Sequence, residues 1–133
     1  MEPMPPPAVL HRMVERLVRA FAPERIVLFG SYAKGAARPG SDIDLLIVAD
    51  LTGDPTAHLR RARQLVADAF PPVDIVLCTP EEVAEAPTAR SPFLLSVLGS
   101  GITLYRPDEY AASPFGGADQ GKVMKRLTVG GRA

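Results

Sequence analysis

Apolar residues recur along this chain with two different periods, and the change from one period to the other predicts its elements. From Ala8 onward, Val9, Leu10, Met13, Val14, Leu17, Val18 and Phe21 fall at i, i+3, i+4 spacing, with Arg12, Glu15, Arg16 and Arg19 on the other face. That is an amphipathic helix, and Pro23 ends it. Three short apolar runs then read as buried strands: Ile26–Phe29, Ile43–Val48 and Val73–Cys78. Between the last two, Leu59, Ala62, Leu65, Val66, Ala69 and Phe70 mark a second amphipathic helix over Thr56–Phe70, stopped by Pro71-Pro72. Thr79, Pro80 and Glu82 spell a capping box for a further helix start. A short helix is expected over Ser91–Leu98, closed by Gly99 or Gly101, and Ile102–Tyr105 is expected as an edge strand stopped by Pro107.

These elements predict a small α/β domain with a mixed sheet of three to four strands flanked by helices. Only the Gly30–Gly40 loop is too short for a helical crossover, so its two flanking strands should be antiparallel neighbours. The expected organisation is an irregular Pro-rich stretch over 1–7, the domain over 8–105, and a flexible, Gly-rich C-terminal tail over 106–133.

Composition changes the picture in two places. Among 133 residues, Lys+Arg and Asp+Glu each number 15, so bulk charge predicts no general attraction to nucleic acid or membrane. Any anion must be bound by local arrangement. The chain has one cysteine, Cys78, which excludes an internal disulfide or a cysteine-rich zinc site and suits a reducing cytoplasm. Cys78 is expected to pack as a small apolar residue, and His11 and His58 are expected at the surface. The N-terminus MEPMPPPAVL lacks the basic and apolar segments of a signal peptide, and no apolar run approaches the roughly 20 residues of a membrane span.

The chemistry concentrates in three acids and one turn. Asp42 and Asp44 sit at i and i+2 where an apolar strand begins, so both carboxylates share a face with Cα atoms roughly 6.5 Å apart. Asp74 opens another short apolar strand. If that strand lies beside Ile43–Val48, three carboxylates converge, and they resist joint ionisation unless cations answer them. Hard oxygen donors suit Mg²⁺, which binds one or two carboxylates plus substrate phosphates. A pair of such ions would serve an in-line displacement, with Asp74 as general base or second-metal ligand. Gly30-Ser31 ends the first strand with a sharp turn and backbone N–H groups that suit phosphate. A P-loop is excluded, because Ala36-Ala37 stand where Lys and Ser/Thr are required, and no Rossmann fingerprint occurs at this turn. Lys34 and Arg38 either neutralise a triphosphate or form a solvated basic loop. Each feature alone has a bland reading as a turn or strand-end acid; their joint order is what points to nucleotidyl transfer.

At GSYAKGAARPGSDIDL, Gly30 to Leu45, the chain resembles the DNA polymerase β type nucleotidyltransferase superfamily. Lys34-Gly35 through Arg38 to Ser41-Asp42 is similar to its minimal nucleotidyltransferase (MNT) subgroup, stand-alone domains related to the catalytic domain of kanamycin nucleotidyltransferase. The resemblance covers about 8–105. It implies Gly30, Ser31, Lys34, Arg38 and Ser41 around the nucleotide, Asp42 and Asp44 on metal, and Asp74 completing the triad. Tyr32-Ala33-Lys34 departs from it, since many members carry Arg at the first or third place and Lys34 lacks a bidentate grip. The resemblance further implies ATP as substrate, two Mg²⁺ ions, and an all-α HEPN-type partner in trans, of a toxin–antitoxin pair, silenced by AMP transfer to a tyrosine. Two rival expectations remain: an antitoxin that works by covering its partner without catalysis, or transfer to a small molecule such as an aminoglycoside at a homo-oligomer interface.

Overall fold

The computed structural model describes residues 7–89 and 91–107. The expected tail and nearly all of the expected irregular N-terminus lie outside them. Along the described chain run α1 (Pro7–Phe21), β1 (Arg25–Phe29), α2 (Gly30–Ala33), β2 (Ile43–Val48), α3 (Pro55–Leu65), β3 (Val73–Cys78), α4 (Pro80–Ala89), α5 (Pro92–Ser100) and β4 (Ile102–Tyr105). The sheet has four strands in the order β3-β2-β1-β4. β1 is antiparallel to both β2 and β4, whereas β3 is parallel to β2 and reached through α3. The sheet is therefore mixed, as expected, with β4 at one edge. No helix among the described residues is long and apolar enough to cross a membrane.

Strand alternation divides the core in two. Ile26 and Leu28 of β1, Ile43, Leu45 and Ile47 of β2, Ile75 of β3 and Leu104 of β4 face α1 and α3, where Leu10, Met13, Leu17, Ala62 and Val66 meet them. Val27, Leu46, Val48 and Cys78 face the other way, towards Val97, with Val83, Leu94 and Leu98 packed at the edge. β2 is thus covered on both faces, which explains its unbroken apolar run after Asp44.

Local signals account for most boundaries. Asp54 caps α3 by accepting from Thr56 N–H at 3.0 Å. The Thr79 capping box forms as expected: Glu82 N–H donates to the Thr79 hydroxyl at 3.1 Å, and Thr79 N–H donates to the Glu82 carboxylate at 2.8 Å. Ser91 caps α5, and Gly101 closes it. A Cβ at Gly101 would collide with Val27 and stand 2.5 Å from the Val97 carbonyl, so only glycine lets this turn lie on β1.

Four expectations are corrected. The second long helix ends at Leu65, not Phe70: Val66 to Ala69 continue as tight turns, and Phe70, biased away from helix by the proline after it, is 82% exposed. The turn after β1 is not plain loop but the single helical turn α2. His11 and His58 are half-buried instead of lying free at the surface; the His58 ring bonds the Thr52 carbonyl at 2.6 Å and packs edge-on to Phe21.

Candidate active site

The C-terminal end of β1 and the N-terminal ends of β2 and β3 meet at one end of the sheet. There Phe29 pairs with Asp44 across the β1–β2 ladder, and Asp44 pairs with Asp74 across the β2–β3 ladder. Because all three belong to the alternation that also contains Leu46 and Cys78, they share the sheet face turned to α5. Asp42 lies two residues before Asp44, just outside β2, on the same side. Asp42 and Asp74 are exposed and Asp44 is half-buried.

Burial holds the Asp44 carboxyl above its ordinary range, and the negative charges of Asp74 and Asp42 push it further the same way. The electrostatics thus register the convergence of the three acids. Among the described residues no group of three His, Cys, Asp or Glu stands close enough to hold a metal ion together. The donor set itself, hard carboxylate oxygens from adjoining strand ends, fits a divalent cation of the Mg²⁺ kind.

The turn that closes the site is shaped around Asp44. Gly30 has φ +77°, which favours glycine, and a Cβ there would overlap Asp44 Oδ2 and lie 3.0 Å from its Cγ. The backbone of α2 therefore starts in contact with the carboxylate. Phe29, at the N-cap, offers no side-chain hydrogen bond, leaving the first N–H groups of the turn at Gly30 and Ser31 without an intrahelical partner. Tyr32, 7% exposed, drives α2 into the core on the α1 side. It is an anchor, a role its place beside Gly-Ser did not suggest.

Lys34 caps the far end of α2, its N–H bonding Gly30 and Ser31 carbonyls at 3.2 Å, and its side chain is exposed, as is that of Arg38. The loop then turns through Arg38-Pro39-Gly40-Ser41, where Ser41 N–H donates to the Arg38 carbonyl at 2.8 Å. Gly40 has φ +92°, the pattern of a type II turn. The Ser41 hydroxyl accepts from Arg38 N–H at 2.8 Å, so its oxygen ties the loop shut. Ile43 N–H donates to the Pro72 carbonyl at 2.8 Å, fastening the β2 entrance to the strand that carries Asp74.

An aromatic contact at the end of β1 has no sequence signal. The Phe93 ring of α5 meets Phe29 edge-to-face, centroids 5.4 Å apart at 84°. A shallow groove of about 400 Å³ on α3, lined by Leu59, Arg60 and Arg63 among others, lies on the opposite side of the sheet and contains none of these groups.

Comparison with known proteins gives a family and a fold. The sequence profile of the nucleotidyltransferase domain matches residues 10–95. No curated protein matches the chain. Among solved structures, a crystal structure of a toxin–antitoxin with AMP-PNP contains a similar chain. The two share 24% identity and a TM-score of 0.52 over 89% of this chain and 83% of that one. At that identity the likeness establishes a shared fold.

Proposed function

The chain belongs to the nucleotidyltransferase domain family, and from that premise we propose that it transfers AMP from ATP to a hydroxyl group on a partner protein. The observation that carries the reading is the pairing of Asp44 with Asp74 in one register, with Gly30 packed against Asp44. Asp42 and Asp44 would hold divalent cations, Mg²⁺ by donor type, with Asp74 as a further ligand or as the base. Bound there, such ions neutralise phosphate charge and stabilise the attacking and leaving oxygens.

The chain's own groups supply the rest. N–H groups at Gly30 and Ser31 seat the β- and γ-phosphates, and Lys34 and Arg38 extend positive charge over them. The acceptor oxygen attacks the α-phosphorus in line, pyrophosphate departs, and the hydroxyl proton passes to a carboxylate, Asp74 being the exposed acid outside the pair that holds the cations. Ser41 serves by holding the loop that carries Arg38. The toxin–antitoxin assembly of the structural neighbour supports a partner protein in trans, and the resemblance of the sequence implies that this partner is of the HEPN type and is the acceptor. The lone, buried Cys78 suits a reducing cytoplasm.

The test is label transfer from [α-³²P]ATP to the partner, with wild type and with Asp42→Asn/Asp44→Asn. Loss of transfer by a folded double variant is the expected result. Undiminished transfer sinks the reading, and retained neutralisation of the partner in cells by that variant would favour covering without catalysis.

A further inference from the structure

We propose that Phe93, propped by Phe29, is the platform on which the nucleobase of the triphosphate stacks. The inference rests on the proposed function and assigns the part of the site that recognises the nucleoside.

Phe29 and Asp44 are directly opposed across the ladder, so their Cβ atoms are about 5 Å apart on one face. The Phe93 ring lies 5.4 Å from that of Phe29, so the aromatic pair stands at the strand end that carries Asp44. Large apolar side chains are seldom left in water without cause, yet Phe93 is 45% exposed and Phe70, Phe93 and Leu95 alone among the described large hydrophobics share that condition. Phe70 lies on the segment that enters β3 and makes no aromatic ring contact among the described residues. Phe93 packs on Phe29, the residue opposite Asp44.

The ring is also held in place. An 84° contact spends one side of the aromatic pair on Phe29 and leaves the rest of Phe93 to solvent. Ser91 caps the helix two residues earlier, with Pro92 at its first turn, so the backbone carrying the ring is fixed. A rigid, exposed ring next to a phosphate-binding turn is what a nucleobase can use, since every base has a π-face and stacking needs no hydrogen-bond partner.

The experiment compares the affinity of the full chain for ATP and for inorganic tripolyphosphate, each with Mg²⁺, by calorimetry. Phe93→Ala should weaken ATP about tenfold while leaving tripolyphosphate unchanged. Leu95→Ala, equally apolar and 44% exposed but pointing elsewhere round the same helix, should change neither. The chain contains no tryptophan, so Phe93→Trp installs a single reporter whose emission should be quenched by ATP and not by tripolyphosphate. Equal binding of ATP by wild type and Phe93→Ala overturns the proposal, and a concurrent loss of transfer to the partner would make the ring an acceptor contact. Parallel loss of both ligands by Phe93→Ala overturns it as well, since the ring would then be supporting the acids. Failure of the wild type to bind either ligand removes the nucleotidyltransferase reading itself.

Discussion

Replacing Asp44 by asparagine should make the apo protein more stable. Adjacent strands lie about 4.8 Å apart, so paired carboxylates at Asp44 and Asp74 repel by about 1 kcal/mol in water and about 3 kcal/mol at an effective dielectric of 20. Asp74 is exposed, so the lower figure applies, and Asp44→Asn should gain about 1 kcal/mol at pH 7. A carboxyl whose folded pKa lies above its unfolded one holds its proton more tightly when folded. The ionised form therefore costs stability at neutral pH, and that cost disappears as pH falls through the raised value towards the ordinary 3.8. Urea melts of both proteins in chelator-treated buffer, at pH 7 and near pH 4, measure this directly. The curves should separate at pH 7, converge near pH 4, and draw together at high salt. Millimolar Mg²⁺ should reverse the order, because a cation bound at 100 times its dissociation constant adds about 2.7 kcal/mol to the wild type and much less to the variant. A variant less stable than wild type at pH 7 without metal, or a difference indifferent to pH, would refute the reasoning.

Two further outcomes follow from the same geometry. Gly30→Ala should lose transfer activity and about 1–3 kcal/mol of stability, since its Cβ must displace the Asp44 carboxylate and adopt a left-handed backbone; thermal melts and label transfer measure both. Burial pushes the Cys78 thiol up to about 11, so Ellman's reagent at pH 8 should label it only at the rate of unfolding; prompt labelling of the native protein would contradict its place against Val27 and Leu46.

Where a residue's role depends on near neighbours in sequence, the chain announced it. The strands, the Thr79 capping box and the antiparallel turn between β1 and β2 were readable because period, cap and loop length are local. Asp44 beside Asp74 was readable only as a condition, since nothing in either strand states which strand it pairs with. Roles created by distant contacts were not readable. Phe93 meets Phe29 from an element 64 positions later, as the numbering shows, and neither residue has a signal for the other. Tyr32 stood in a place where phosphate chemistry was expected, yet burial won, because a single helical turn has no packing of its own and needs an anchor. Phe70 misled in the opposite direction: helical spacing continued past Leu65, but the tight turns at Val66 to Ala69 took it out of phase with the core.

The parallel register of β2 and β3 carries a consequence for error tolerance. Ile75 pairs with Leu45 against α1 and α3, while Asp74 pairs with Asp44 on the opposite face. A slip of β3 by one residue would turn Ile75 out of the hydrophobic layer and drive Asp74 into it. The chain cannot misalign its acids quietly, because the same slip that dismantles the site also unseats the core. Proofreading of the site is thereby delegated to folding, and a molecule stable enough to persist is one in which Asp44 and Asp74 already stand in register.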